Sequence, residues 1–151
     1  RDLRELLRGR VPRTALGGWA NPHRPGVEQA SYLAAADAHN DFALTQVVSH
    51  HALPQVEAFL EALDRSGAKI PVIFGVFFYR SANPSTLRTL GRFFPVPAEA
   101  LTAEFDAGAG PLDICARSIR ALRSAGAEKI YVSNLGNRGA GRRLDSILQL
   151  V

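Results

Sequence analysis

Apolar residues along the chain fall into four short runs, each followed by a segment with the three-to-four spacing of an amphipathic helix. Thr14 to Ala20 is a small-residue strand that breaks into the turn Asn21-Pro22-His23-Arg24-Pro25-Gly26, and an alanine-rich helix follows over Val27 to Ala38. Phe42-Ala43-Leu44-Thr45-Gln46 is the second strand, and a helix from about Pro54 to Ser66 buries Val56, Phe59, Leu60 and Leu63 and stops at Gly67. Pro71 to Phe78 is the third and most apolar run, with burial expected on both faces. Asn83 caps a helix through Phe93, Pro97 to Phe105 forms a short extra one, and Leu112 to Ala125 is strongly amphipathic and closed by Gly126. Lys129 to Ser133 is the last strand, and Gly141 to Gln149 the last helix. Ahead of all this, leucines at 3, 6 and 7 mark a helix over Arg1 to Gly9, so residues 1–13 read as the end of a preceding unit.

Four strand-helix units predict an α/β fold with a parallel sheet covered by helices, one segment spanning residues 1–151. Two architectures fit the pattern: half of an eight-stranded barrel, or a small doubly wound parallel sheet. Both put ligand chemistry at the carboxyl ends of the strands, here Asn21 to Gly26, Gln46 to His51, Phe77 to Asn83 and Asn134 to Gly141. Gln46 stands out there. Alternation places it on one face with Phe42 and Leu44 while Ala43 and Thr45 turn toward the helices, and a buried amide left without partners costs roughly 1–3 kcal/mol. A ligand or a neighbouring loop could supply those partners.

Composition narrows the functional classes. The formal charge of +4 divides into +3 over residues 1–13, +2 over 138–151 and −1 between them, so the net positive charge sits at the ends. Solvated ends rather than a nucleic-acid footprint are expected from that distribution. No apolar run approaches the roughly 20 residues that span a bilayer, and no signal peptide is apparent, so a cytoplasmic protein without membrane contact is expected. The single Cys115 lies in a helical pattern and reads as a buried, inert thiol. The adjacent His50 and His51 lack the spacing of a zinc site, and no metal is expected; they read as a loop-tip or capping pair. Gly136 to Arg142 is glycine-rich and basic without the spacing of a nucleotide fingerprint, which leaves a phosphate cradle or a charged turn.

Three segments in register resemble the C-terminal half of the methylenetetrahydrofolate reductase family. Asp37-Ala38-His39-Asn40-Asp41-Phe42-Ala43-Leu44-Thr45-Gln46 is similar to its Asp-Ala-Gly-Ala motif followed by Ile-Thr-Gln. Pro71 to Val76 resembles its strand ending Pro-Gly-Ile, and Ile130 to Arg138 its last strand ending Tyr-Thr-Leu-Asn-Arg. The resemblance implies the C-terminal half of a (β/α)8 TIM barrel, strands five to eight, and an oxidoreductase that reduces 5,10-methylenetetrahydrofolate with NAD(P)H. It implies that Gln46 bonds the pterin, that Arg138 and the adjacent Leu135 lie near the folate tail, and that Leu90 occupies the place of a ligand-packing Phe. Asn21 and Glu28 correspond to the cofactor side. Ala35 stands where the family carries a flavin-holding Lys, so FAD is a weaker expectation than the nicotinamide. The family's general acid belongs to an N-terminal half, so no catalytic residue is expected in these 151 residues. An N-terminal half or another copy is the expected partner.

Overall fold

The computed structural model describes residues 2–35 and 38–151, and the structural statements that follow concern those residues. Its elements are α1 (Asp2–Arg10), β1 (Gly17–Ala20), α2 (Gly26–Ala34), β2 (Phe42–Val48), a 3-10 turn (His50–Ala52), α3 (Leu53–Ser66), β3 (Val72–Phe77), α4 (Pro84–Leu90), α5 (Ala98–Asp106), α6 (Pro111–Ser124), β4 (Lys129–Ser133) and α7 (Ala140–Leu150).

Most of these elements begin and end where local chemistry dictates. Asn83 Oδ1 accepts from the N–H groups of Ser85 and Thr86 at the start of α4, and Gly67 takes the left-handed conformation that closes α3. Several boundaries differ from expectation, among them the end of β2, which runs on to Val48. The first helix runs through Gly9 to Arg10. The first strand starts at Gly17 rather than Thr14, because side chains claim the backbone ahead of it: Leu16 N–H donates to Asp41 Oδ2, and Arg8 bonds both Asp41 and the Thr14 carbonyl. The second helix stops at Ala34, where Ala35 becomes extended; of its expected remainder, residues 36 and 37 lie outside the described set. The fourth helix ends at Leu90, because Arg92 and Phe93 turn back onto the carbonyls of Thr89 and Leu90.

All four strands pair in parallel, in the order β1-β2-β3-β4 with no reversal. One face packs under the helices: Ala20, Ala43, Phe74 and Val76 join Val56 and Phe59 of α3, Cys115, Ile119 and Leu122 of α6, and Ile147 of α7 in a single core. Those positions account for the apolar runs. Alternation sends Trp19, Leu44, Ile73 and Tyr131 to the other face, which is only partly covered, and Trp19 is 55% exposed. The expectation that β3 is buried on both faces therefore holds only in part: Phe74, Gly75 and Val76 are buried, but Ile73 and Phe77 are half-buried. A second apolar cluster of Tyr79, Leu87, Leu101 and Ile114 sits beyond the carboxyl end of β3, where Phe77 packs between Tyr79 and Phe94 with ring centroids 4.9 and 5.2 Å away. No described helix is long and apolar enough to cross a membrane.

Burial of Cys115 beneath the helical layer pushes its thiol up to about 12. At pH 8 the native protein then holds roughly one thiolate in ten thousand. Iodoacetamide is expected to alkylate the native protein at least about a hundredfold more slowly than the urea-unfolded chain, a difference that mass spectrometry over a time course would read. Comparable rates would show that the thiol is accessible.

Candidate functional site

The carboxyl end of β2 is irregular. Leu44 pairs with Ile73 and Val47 with Gly75, so three steps along β2 match two along β3, and Thr45-Gln46 holds one extra residue. The bulge also switches faces. Ala43 and Val48 both enter the helical core although they lie an odd number of residues apart, which an unbroken strand would not allow. Burial alternates from Phe42 as far as Val47, past the register shift between Leu44 and Val47, and then fails at Val48, which is buried beside Val47.

Three side chains stabilise this break. Gly75 N–H, which a regular ladder would direct to a β2 carbonyl, donates instead to Thr45 Oγ1 at 3.1 Å. The freed Thr45 carbonyl accepts from Tyr131 Oη at 2.8 Å, a bond that crosses β3 entirely. Tyr131 can reach it only because residue 75 is glycine: a Cβ there would lie 2.5 Å from Tyr131 Oη and 2.7 Å from Cζ. Gln46 Oε1 then accepts from Val47 N–H at 2.9 Å, and its amide nitrogen approaches the Phe93 carbonyl at only 3.4 Å. Its oxygen is thus committed to the bulge, and its NH2 group faces the strand mouth with donor capacity to spare.

The other expected site residues divide between two locations. Leu90 belongs to the cluster around Phe77 and Phe94, and the Leu90–Phe94 turn meets Gln46 at the mouths of β2 and β3. Asn21 Oδ1 accepts from His23 N–H, and His23 Nε2–H donates to the Val47 carbonyl at 3.0 Å, which ties the end of β1 to the bulged strand. Glu28 lies exposed on α2 and accepts from the Tyr32 hydroxyl. Leu135 instead packs against the helical core, while Arg138 lines a surface cavity with Leu112, Arg142 and Ser146. In the glycine-rich loop, Arg143 donates to the carbonyls of Leu135 and Arg138, and Arg80 to that of Asn134. That loop presents carbonyl oxygens to guanidinium groups, the arrangement of a charged turn.

The histidine pair does something its sequence spacing does not suggest. Ser49 is extended and accepts from His51 N–H, and the 3-10 turn that follows swings both rings toward α5 with centroids 3.9 Å apart. Both Nε2 atoms approach one carboxylate oxygen, Glu104 Oε1, at 2.7 Å from His50 and 2.8 Å from His51. Adjacent side chains diverge in a regular helix or strand, and this turn is what lets the two rings converge. Arg117 donates to the second oxygen, Glu104 Oε2, at 2.8 Å. Because a carboxylate only accepts, the proton of His50 is on Nε2, and its Nδ1 accepts from the Ser118 hydroxyl at 2.8 Å. His51 Nε2 is close to the same oxygen but out of line, so it is buried with no hydrogen-bond partner. Burial, followed by the neighbouring His50, lowers the His51 pKa below the ordinary imidazole value. His51 also lines a cavity of about 180 Å³ with His23, Gln55, Tyr79 and Pro95. Glu104 lies 53 residues beyond His51, and no local motif links them.

Compared with protein families and with curated proteins, the chain matches no family model and no curated sequence.

Substituting Gly75→Ala should displace the Tyr131 ring, break its bond to Thr45 and destabilise the protein by about 1–3 kcal/mol. Tyr131→Phe, which removes the bond alone, should cost about 1 kcal/mol. Urea denaturation of both variants checks the ordering, and a neutral Gly75→Ala would mean that the crossing is not constrained.

Proposed function

We propose that these 151 residues form one half of a (β/α)8 barrel whose strand mouth binds a folate for reduction by NAD(P)H. The observation that carries the barrel is the partly bare apolar sheet face. Right-handed crossovers that always advance in one direction put every helix on the same side, and an unreversed strand order has this property. A doubly wound sheet needs a reversal to cover both faces. Here Trp19, Leu44, Ile73 and Tyr131 occupy the side that a closed barrel would fill. The flanking helices support the same reading: Leu3 on α1 is 65% exposed and Leu148 on α7 61%, one at each end of the layer. Paired strands on both open edges, from a second copy or a further strand-helix segment, would bury these surfaces together.

The reductase reading rests on the resemblance of three segments and on Gln46. A pterin presents ring acceptors along one edge, and the Gln46 amide proton not directed at the Phe93 carbonyl suits them. Phe77, Leu90 and Phe94 offer an apolar wall on which a flat ring can pack. Leu135 and Arg138 turn toward the helical side, which favours a second reading: a half-barrel that binds partner or ligand without turnover. A reducing, cytoplasmic setting suits the unpaired buried Cys115 in either case.

Assembly and ligand binding have separate tests. Trp19, the only tryptophan, reports on the bare face, so assembly should blue-shift its emission. Leu44→Asp should abolish that shift and leave a monomer in analytical ultracentrifugation; a monomeric native protein with the same spectrum would remove pairing with a second copy. Gln46→Ala should weaken folate binding roughly tenfold, the worth of one well-formed hydrogen bond, while unchanged affinity would remove the pterin contact. Oxidation of NADH on addition of methylenetetrahydrofolate separates the enzyme from the non-catalytic half-barrel.

A further inference from the structure

We infer that His50, His51 and Glu104 form a binding site for a zinc-like divalent transition metal. Their ligand atoms, one from each residue, lie within 4.8 Å of one another, and the side chains are only 14–18% exposed. Two imidazoles and one carboxylate are the donor set of open, three-ligand zinc sites, whereas Mg²⁺ and Ca²⁺ take oxygen ligands. The site does not depend on the folate reading, because none of its residues takes part in it.

The present contacts leave one nitrogen unsatisfied. Glu104 Oε1 can accept from both rings, but only His50 is aligned to donate, and His51 Nε2 is buried without a hydrogen-bond partner. A cation between the three atoms would be bound by all of them. With ligand bonds of about 2.0–2.2 Å, a tetrahedral centre needs its donors roughly 3.3 Å apart, so each contact has to open by about half an ångström. A rotamer adjustment of this size lies within reach of a 3-10 turn facing a helix.

The surrounding groups fit a second layer of support. When a metal takes His50 Nε2, the proton on that atom moves to Nδ1, which then donates to Ser118 Oγ; the ring stays neutral and no proton is lost. Arg117 holds the other carboxylate oxygen, which leaves Oε1 as a single ligand and sets its direction. Protonation of either imidazole opposes binding, so affinity falls as the solution is made acidic. Three protein ligands leave a position for water or a small ligand, and His51 is the member of the set that also lines the 180 Å³ cavity.

Dialysis of the full chain against a chelator, followed by titration with Zn²⁺ in a calorimeter, tests this directly. The expected result is one Zn²⁺ per chain, with Co²⁺ at the same site giving a visible absorption band characteristic of a low-coordinate nitrogen and oxygen environment. Glu104→Gln keeps a hydrogen-bonding amide in place and is expected to remain folded while Kd rises tenfold or more; His51→Ala should do the same. His39→Ala, outside the cluster, should change nothing. A second readout is thermal: Zn²⁺ should raise Tm of the native protein and of His39→Ala but not of the other two variants. Absence of a heat signal and of a Tm shift, or Zn²⁺ affinity unchanged by both Glu104→Gln and His51→Ala, would leave only a charge cluster that ties α5 to α6.

Discussion

One extra residue in β2 determines much of what happens at the open end of the sheet. A regular ladder would satisfy the Thr45 carbonyl and the Gly75 N–H against each other's strand. The bulge separates them, and two side chains repair the loss: the Thr45 hydroxyl takes the amide, and Tyr131 takes the carbonyl from two strands away. Each unrepaired group would cost about 1–3 kcal/mol, so the bulge draws its stability from Thr at 45, Tyr at 131 and the lack of a Cβ at 75. The same irregularity turns the backbone so that Gln46 bonds its own neighbour and Val47 lines the cavity beside His51. Three strands thus share responsibility for the direction of a single amide.

The sheet is also one-sided. The helical face carries nearly all the large buried residues, whereas the opposite face keeps Trp19 and Leu44 in partial contact with solvent. Parallel strands are ordinarily covered on both faces because their backbone and side chains are costly to leave wet. An apolar face of this extent, flanked by open edges and by leucines at both ends of the helical layer, has the features of an interior surface rather than an exterior one. Hydrophobic association at such a face would gain roughly 25 cal/mol for each square ångström removed from water, and the proposed barrel draws on that gain.

The strand-helix alternation was legible because it depends on local patterning: every expected strand and helix exists, and β4 occupies the predicted residues Lys129–Ser133. The errors arose where side chains far away in sequence compete for backbone groups. Asp41 and Arg8 shorten β1, an effect no window around Thr14 contains. The bulge was illegible for the same reason, since its support comes from Gly75 and Tyr131. Gln46 could be singled out as an amide at a strand end, yet the commitment of its oxygen to Val47 depends on geometry alone. For His50 and His51 the sequence contained a misleading cue, because adjacent residues diverge in every regular element and converge only in an irregular turn.

That convergence is the least economical feature of the described structure, and its logic is chemical. Burying a carboxylate requires compensation, and Glu104 has it from Arg117 on one oxygen and from His50 on the other. Once those bonds are made the charge is satisfied, and a purely structural cluster would be complete. His51 is peripheral to it: its Nε2 is buried 2.8 Å from an oxygen that His50 already engages, and it is out of line for a hydrogen bond. An apolar side chain at that position would pack without the desolvation cost, so stability alone gives no account of the second ring. What the second ring does contribute is a ligand atom, its Nε2, 2.8 Å from a carboxylate oxygen at the rim of a cavity, and the proposed cation would give that atom a bond which the charge cluster does not.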